Sequence, residues 1–80
     1  MTTKEKQKCE KLLDEAISKT TLARLEYSEA EKHEKNHDDV NAEISFRKAD
    51  NHMGYSEGIH QALAVLGYKS SKMRNLEDLI

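Results

Sequence analysis

Asn36-His37-Asp38-Asp39 interrupts an 80-residue chain that has no proline and only three glycines. Asn and Asp favour turns and helix N-caps because their side chains hydrogen-bond nearby backbone groups. A turn over about residues 36–38, with Asp38 as the cap and Asp39 favoured beside it by the helix dipole, folds the chain into a long antiparallel hairpin. Without a turn, the same residues continue one unbroken helix, which the absence of proline and glycine permits. The turn reading predicts an all-α fold: a helix over about 3–35, a second over about 39–66, and a short one over about 71–80.

N-terminal to the break, Cys9, Leu13, Ala16, Thr20, Ala23, Tyr27 and Ala30 recur at 4,3,4,3 spacing. At about 100° per residue they share one side of a helix, with Leu12 and Ile17 flanking them. Ala16, Ala23 and Ala30 repeat every seven residues, which suits close packing at a shallow angle. Leu22 and Leu25 point nearly opposite this seam. They are either two scattered exposed leucines or a second contact surface for a protein partner.

C-terminal to the break, the second helix carries two stripes. One is Val40, Ile44, Tyr55, Ile59, Ala62, Leu63 and Leu66; the other is Ala42, Phe46, Ala49, Met53, Ser56 and His60. A helix apolar on two sides touches neighbours on two sides. One stripe packs on the first helix and the other awaits a second hairpin. Gly54, Gly58 and Ala62, four residues apart, form a small-residue ridge beside Tyr55. Each interior glycine costs about 1 kcal/mol relative to alanine. Close helix packing, a hinge near Gly54, or a ligand lying on bare backbone would each compensate. Leu66-Gly67 reads as a helix end, Ser70 or Ser71 as the next cap, and Met73, Leu76, Leu79 and Ile80 as one apolar face.

Composition narrows the function classes. One cysteine forms no internal disulfide, no apolar run reaches the roughly 20 residues of a membrane span, and no apolar signal segment follows the first residues. These features predict a soluble, cytoplasmic, single-domain chain without membrane partners. Leu, Ile, Val, Met and Phe supply 18 of the 80 residues, thin for a lone hairpin, so self-association into a homodimer or larger helical bundle is expected. Residues 1–37 are charge-balanced, residues 38–67 hold five acidic and two basic side chains, and residues 68–80 hold three basic and two acidic ones. Phosphate neutralisation needs clustered Lys and Arg, so nucleic acid is not the expected partner.

The candidate chemistry is sparse. His33 and His37 stand four apart, a helical spacing that aims two imidazoles at one metal, but no cysteine lies nearby and the turn explains the polarity as well. His52 and His60 flank the apolar face of the second helix, as partly buried residues or as a pH sensor at an interface. Cys9 lies in the seam; cysteine catalysis would require a histidine such as His60 beside it. Lys69 and Lys72 border a helix start where an anion could rest. No glycine-rich phosphate loop or nucleophile elbow is present, so neither catalysis nor a cofactor is expected.

Gly58-Ile59, Ala62-Leu63 and Leu66-Gly67-Tyr68, within the run Gly54 to Tyr68, resemble a pattern in small helical proteins of Gram-positive phages and mobile elements. The resemblance covers about 15 residues and carries no catalytic residue. It implies a protein that acts on host or phage machinery by binding, such as an inhibitor of a host complex. The alternatives are a DNA-binding transcription modulator using the basic C-terminal segment, and a nucleotide sponge holding its ligand between subunits beside Gly54, Gly58 and Tyr55.

Overall fold

The computed structural model describes residues 1–80, which form three helices: α1 (Thr3–Lys35), α2 (Asp39–Val65) and α3 (Ser71–Leu79). α1 starts at a capping box. Thr2 Oγ1 accepts from the Glu5 backbone N–H at 3.2 Å, and Glu5 Oε1 accepts from the Thr2 backbone N–H at 3.3 Å. This reciprocal pair satisfies two otherwise free donors.

The chain does turn at residues 36–38, through a motif with two linked parts. The Asp38 N–H donates to the His33 carbonyl at 2.8 Å and the His37 N–H to the Glu34 carbonyl at 3.0 Å. This is a Schellman closure, which requires a left-handed residue at its centre. His37 takes that role at φ 59°. Asp38 then caps α2, accepting from the Asn41 backbone N–H at 3.3 Å. The second turn repeats the closure: Tyr68 N–H to the Leu63 carbonyl and Gly67 N–H to the Ala64 carbonyl, both 3.0 Å, with Gly67 at φ 75°. Ser70 caps α3.

α1 and α2 run antiparallel along a molecule of 52 × 17 × 16 Å. The α1 seam is buried at Cys9, Leu13, Ala16, Thr20, Ala23 and Ala30 as the spacing predicts, with one exchange. Glu26 is buried in place of Tyr27, which is half-buried. The tyrosine ring is too bulky for the close approach the alanines set, so it tilts outward onto Phe46, ring centres 6.2 Å apart. Its hydroxyl donates to Asp50 Oδ1 at 2.5 Å.

α2 packs on α1 chiefly through Ala42, Ala49 and Ser56 of its second stripe, joined by Ser45 and Leu63. The Ser56 hydroxyl lies 2.9 Å from the Ala16 carbonyl oxygen, which also accepts from Thr20 Oγ1 at 2.8 Å. Every buried side-chain polar atom finds a partner. The first stripe keeps only Leu63 fully buried and Ile59 half-buried; Val40, Ile44, Tyr55, Ala62 and Leu66 stay exposed.

α3 folds back across the open end of the hairpin. Met73 and Leu76 join Cys9, Leu13, Ala16 and Leu63 in one apolar cluster, with Ile17, Ile59 and Tyr68 packed around it. Three polar ties surround the cluster. Lys72 Nζ reaches Glu10 and Asp14 at 3.2 and 3.0 Å, Arg24 donates twice to the Leu79 carbonyl at 3.3 and 3.1 Å, and His60 meets Glu77 at 3.1 Å. Arg24 thus completes the C-terminal end of α3, where a cation is favoured. No helix is long and apolar enough to cross a membrane.

Candidate interaction surface

α2 sorts its exposed side chains by chemistry. Asp39, Glu43, Asp50 and Glu57, all its acidic residues, recur at spacings of 4, 7 and 7 and are all exposed. At about 100° per residue they fall within about 40° of one another. Val40, Ile44, Asn51, Tyr55, Gly58 and Ala62 are also exposed and fall within about 60° of one another, their centre about 110° around the helix from that of the acids. The first flank is an acidic ridge. The second is an acid-free stripe whose largest members, Val40, Ile44 and Tyr55, are 71, 45 and 41 % exposed.

The two flanks lie on opposite sides of the hairpin. Tyr27 bonds Asp50 on the acidic side, the side on which His60 meets α3. On the other side Glu15 lies near the Tyr55 hydroxyl, and Glu26 pairs with His52. Asp50 as acceptor pushes the Tyr27 hydroxyl above the usual tyrosine range, with burial second; Glu15 does the same for Tyr55. Leu22 belongs to the side of Tyr55, being seven residues from Glu15 and four from Glu26, whereas Leu25 points outward, away from α2. Both leucines are exposed, at 41 and 61 %.

Several expected sites are rearranged. The close-packing role of Gly54 and Gly58 is not met within the chain: a Cβ at either position meets nothing within 4 Å. α2 runs unbroken through Gly54, so no hinge forms there. Gly54, Tyr55, Gly58 and Ala62 line no cavity. The largest depression, about 620 Å³ and shallow, lies instead between the start of α1 and the second turn, bordered by Met1, Lys6, Glu10, Leu66, Tyr68 and Lys69. Lys72 is not open to an anion, because Asp14 and Glu10 hold its ammonium and keep it protonated above the usual lysine range. Lys69 remains exposed.

His33 and His37 do not converge. α1 ends at Lys35, so His37 sits in the left-handed turn rather than one helical turn beyond His33. His33 Nδ1 instead faces Asp38 at 3.6 Å. No group of three His, Cys, Asp or Glu side chains is arranged to hold a metal. His52 and His60 are partly buried, each facing a carboxylate, Glu26 and Glu77. Cys9 is buried in the apolar cluster with its Sγ 3.9 Å from Met1 Sδ, while His60 is engaged by Glu77. The cysteine and histidine that catalysis would need are therefore not joined.

The acidic ridge was legible in the sequence as an acidic face of the second helix, carried by the excess of acid over residues 38–67, and placing its members on one wheel narrows that face to a single flank. No family model matches the chain, and no curated protein or solved structure is significantly similar to it.

Proposed function

We propose that the chain is a non-enzymatic helical interaction protein whose acidic ridge docks a basic surface on a protein partner. The observation that carries this reading is the segregation along α2: all four acids on one exposed flank, none on the other. Asp50 also accepts from Tyr27 and Glu43 pairs with Arg47, while Asp39 and Glu57 have no partner within the chain. Complementary potentials steer encounter and set register between proteins. The likeness of Gly54–Tyr68 to phage and mobile-element proteins favours a host regulatory or defence complex as the target, blocked by steric cover. DNA binding is less well supported, since Lys72 is neutralised by its own chain.

The test is affinity capture from a Gram-positive host lysate, with the chain and with a variant carrying Asp39→Lys, Glu43→Lys, Asp50→Lys and Glu57→Lys. A stoichiometric protein retained by the first and lost by the second is expected. Absence of any stoichiometric partner, or equal capture by both, overturns the reading. A gel shift at low salt showing retardation of DNA would replace it with the transcription-modulator reading.

A further inference from the structure

The acid-free flank of α2 is a different surface with a different occupant. We propose that it is covered by α2 of a second copy of this chain, crossing antiparallel about a two-fold axis between His52 and Gly54, to make a dimeric four-helix bundle. The inference shares with the reading above only the idea that α2 presents surfaces; it needs neither the acidic ridge nor its partner.

Self-complementarity is the first argument. A two-fold interface pairs residue i with residue j and j with i. An axis between His52 and Gly54 sets Val40 on Leu66, Ile44 on Ala62, Lys48 on Gly58 and Asn51 on Tyr55, each pair twice. Val40 meets Leu66 at each end, and inside that pair large residues meet small or flat ones. The missing Cβ of Gly58, which relieves no contact inside the chain, leaves room for the methylene stem of Lys48. The stripe carries no acid, so two copies bring no carboxylates into opposition along α2.

Charge decides the direction. On the same side of the hairpin, α1 places Lys8 and Lys11 in its first third and Glu29 in its last, all exposed. A parallel two-fold pairing of α2 on α2 carries the two α1 helices to opposite flanks, where these charges meet nothing. The antiparallel overlay brings Lys11 of one copy to within about one helical turn of Glu29 of the other at both ends, with Leu22 of each near the axis. Glu26, also on this side, is already paired with His52 of its own chain, and Glu15 lies near Tyr55.

Area is the third argument. A face of 52 by 17 Å offers roughly 900 Å², and about 800 Å² per partner is what a stable protein–protein interface buries. The face on the opposite side is partly occupied by α3, so the open face is the one that offers its full length.

The test is native mass spectrometry and sedimentation equilibrium on the full chain at tens of micromolar. A two-chain mass is expected; a monomer, or an odd-numbered assembly, overturns the proposal. Tyr55→Glu and Ile44→Glu alter exposed residues and are expected to weaken dimerisation at least tenfold with an unchanged helical circular dichroism spectrum. A dimer indifferent to both places the interface elsewhere and overturns the proposal. Lys11→Glu is expected to weaken the dimer and Lys11→Glu with Glu29→Lys to restore it. Register is read by cross-linking: the Ile44→Cys, Ala62→Cys double variant is expected to form an interchain disulfide, whereas Ile44→Cys alone forms none. Cross-linking by Ile44→Cys alone would show a parallel pair and overturn the antiparallel axis. The acidic-ridge variant keeps its two-chain mass if this proposal holds, whether or not it still captures a partner.

Discussion

The two ends of the hairpin solve the same packing problem with different materials. At the open end, three helices close over Leu13, Leu63 and Leu76, each fully buried, with Met73 and Cys9 beside them. At the tip, only two helices meet, and the buried surface is Ala23, Ala30, Ala42, Ser45 and Ala49 around the Glu26–His52 pair. The turns follow the same division. A Schellman closure usually brings an apolar contact between the residues flanking it. At the open end those positions are Leu63 and Tyr68; at the tip they are His33 and Asp38, a polar pair at 3.6 Å. The open end is held by the area it removes from water, the tip by how closely two thin helices approach. A chain with 18 large aliphatic or Phe side chains makes one three-layered apolar cluster and uses small residues for the rest.

Truncating the open end is expected to have the largest effect. Leu63→Ala removes a side chain 1 % exposed at the junction of all three helices, at a cost of about 3 kcal/mol, read as a lower urea midpoint. Enlarging the tip comes next. Ala49→Leu forces three further carbons into a seam set by alanines and is expected to destabilise by about 2 kcal/mol. At the open end the ranking reverses: Ala64, exposed and outside the cluster, accepts leucine with little change. Smaller again is His52→Leu, which leaves Glu26, its side chain 11 % exposed, without its partner; about 1.5 kcal/mol is expected, partly recovered when Glu26→Leu is added. A tip that accepted Ala49→Leu without loss, or an open end that accepted Leu63→Ala without loss, would abolish the distinction.

Most of the helical frame was legible in the sequence. The Asn and Asp cluster marks the tip turn because side-chain carboxylates and amides cap helices wherever they occur. Gly67 marks the second turn because it alone enters the left-handed region freely. The 4,3,4,3 seam places six of its seven residues. Tyr27 fails because periodicity carries no information about bulk, and Glu26 was unreadable as buried until His52 was known to face it. The two stripes of α2 were equally plausible partners for α1; Ala42, Ala49 and Ser56 of the second face the alanine seam, while Leu63 of the first meets α3. His33 and His37 could share a metal only on a helix continuing past Lys35, and the turn that the sequence marks ends that helix. The ridge of Gly54, Gly58 and Ala62 was visible as a ridge, but its exposure depends on which stripe faces inward.

The smallest expected effect lies in the tip turn, where the two closures differ in one residue. Gly67 occupies the left-handed position at the open end without strain, and His37 occupies the matching position at the tip with a Cβ. A non-glycine residue there costs about 1 kcal/mol, part of which glycine returns through the larger entropy of its unfolded chain. His37→Gly is therefore expected to stabilise the fold by about 0.5 kcal/mol, and Gly67→His to destabilise it by more, since the second turn also orients α3. The pH dependence of the tip separates its two components. Asp38 has its carboxyl held below the usual aspartate value of 3.8, first by its side-chain bond with Asn41 and then by the Asn41 backbone N–H, with His33 a minor contributor. A depressed carboxyl contributes stability that is present above pH 3.8 and is lost as pH falls through its folded-state value. Melting temperatures compared at pH 7 and pH 3 are expected to show the gain from His37→Gly at both, because backbone strain does not titrate. The destabilisation caused by Asp38→Ala should shrink as pH falls below 3.8 through the folded-state value of the wild-type cap, where the carboxyl takes up its proton. A gain from His37→Gly that vanished at pH 3 would mean that the turn is held by charge rather than by backbone conformation, and that its likeness to the Gly67 turn is only geometric.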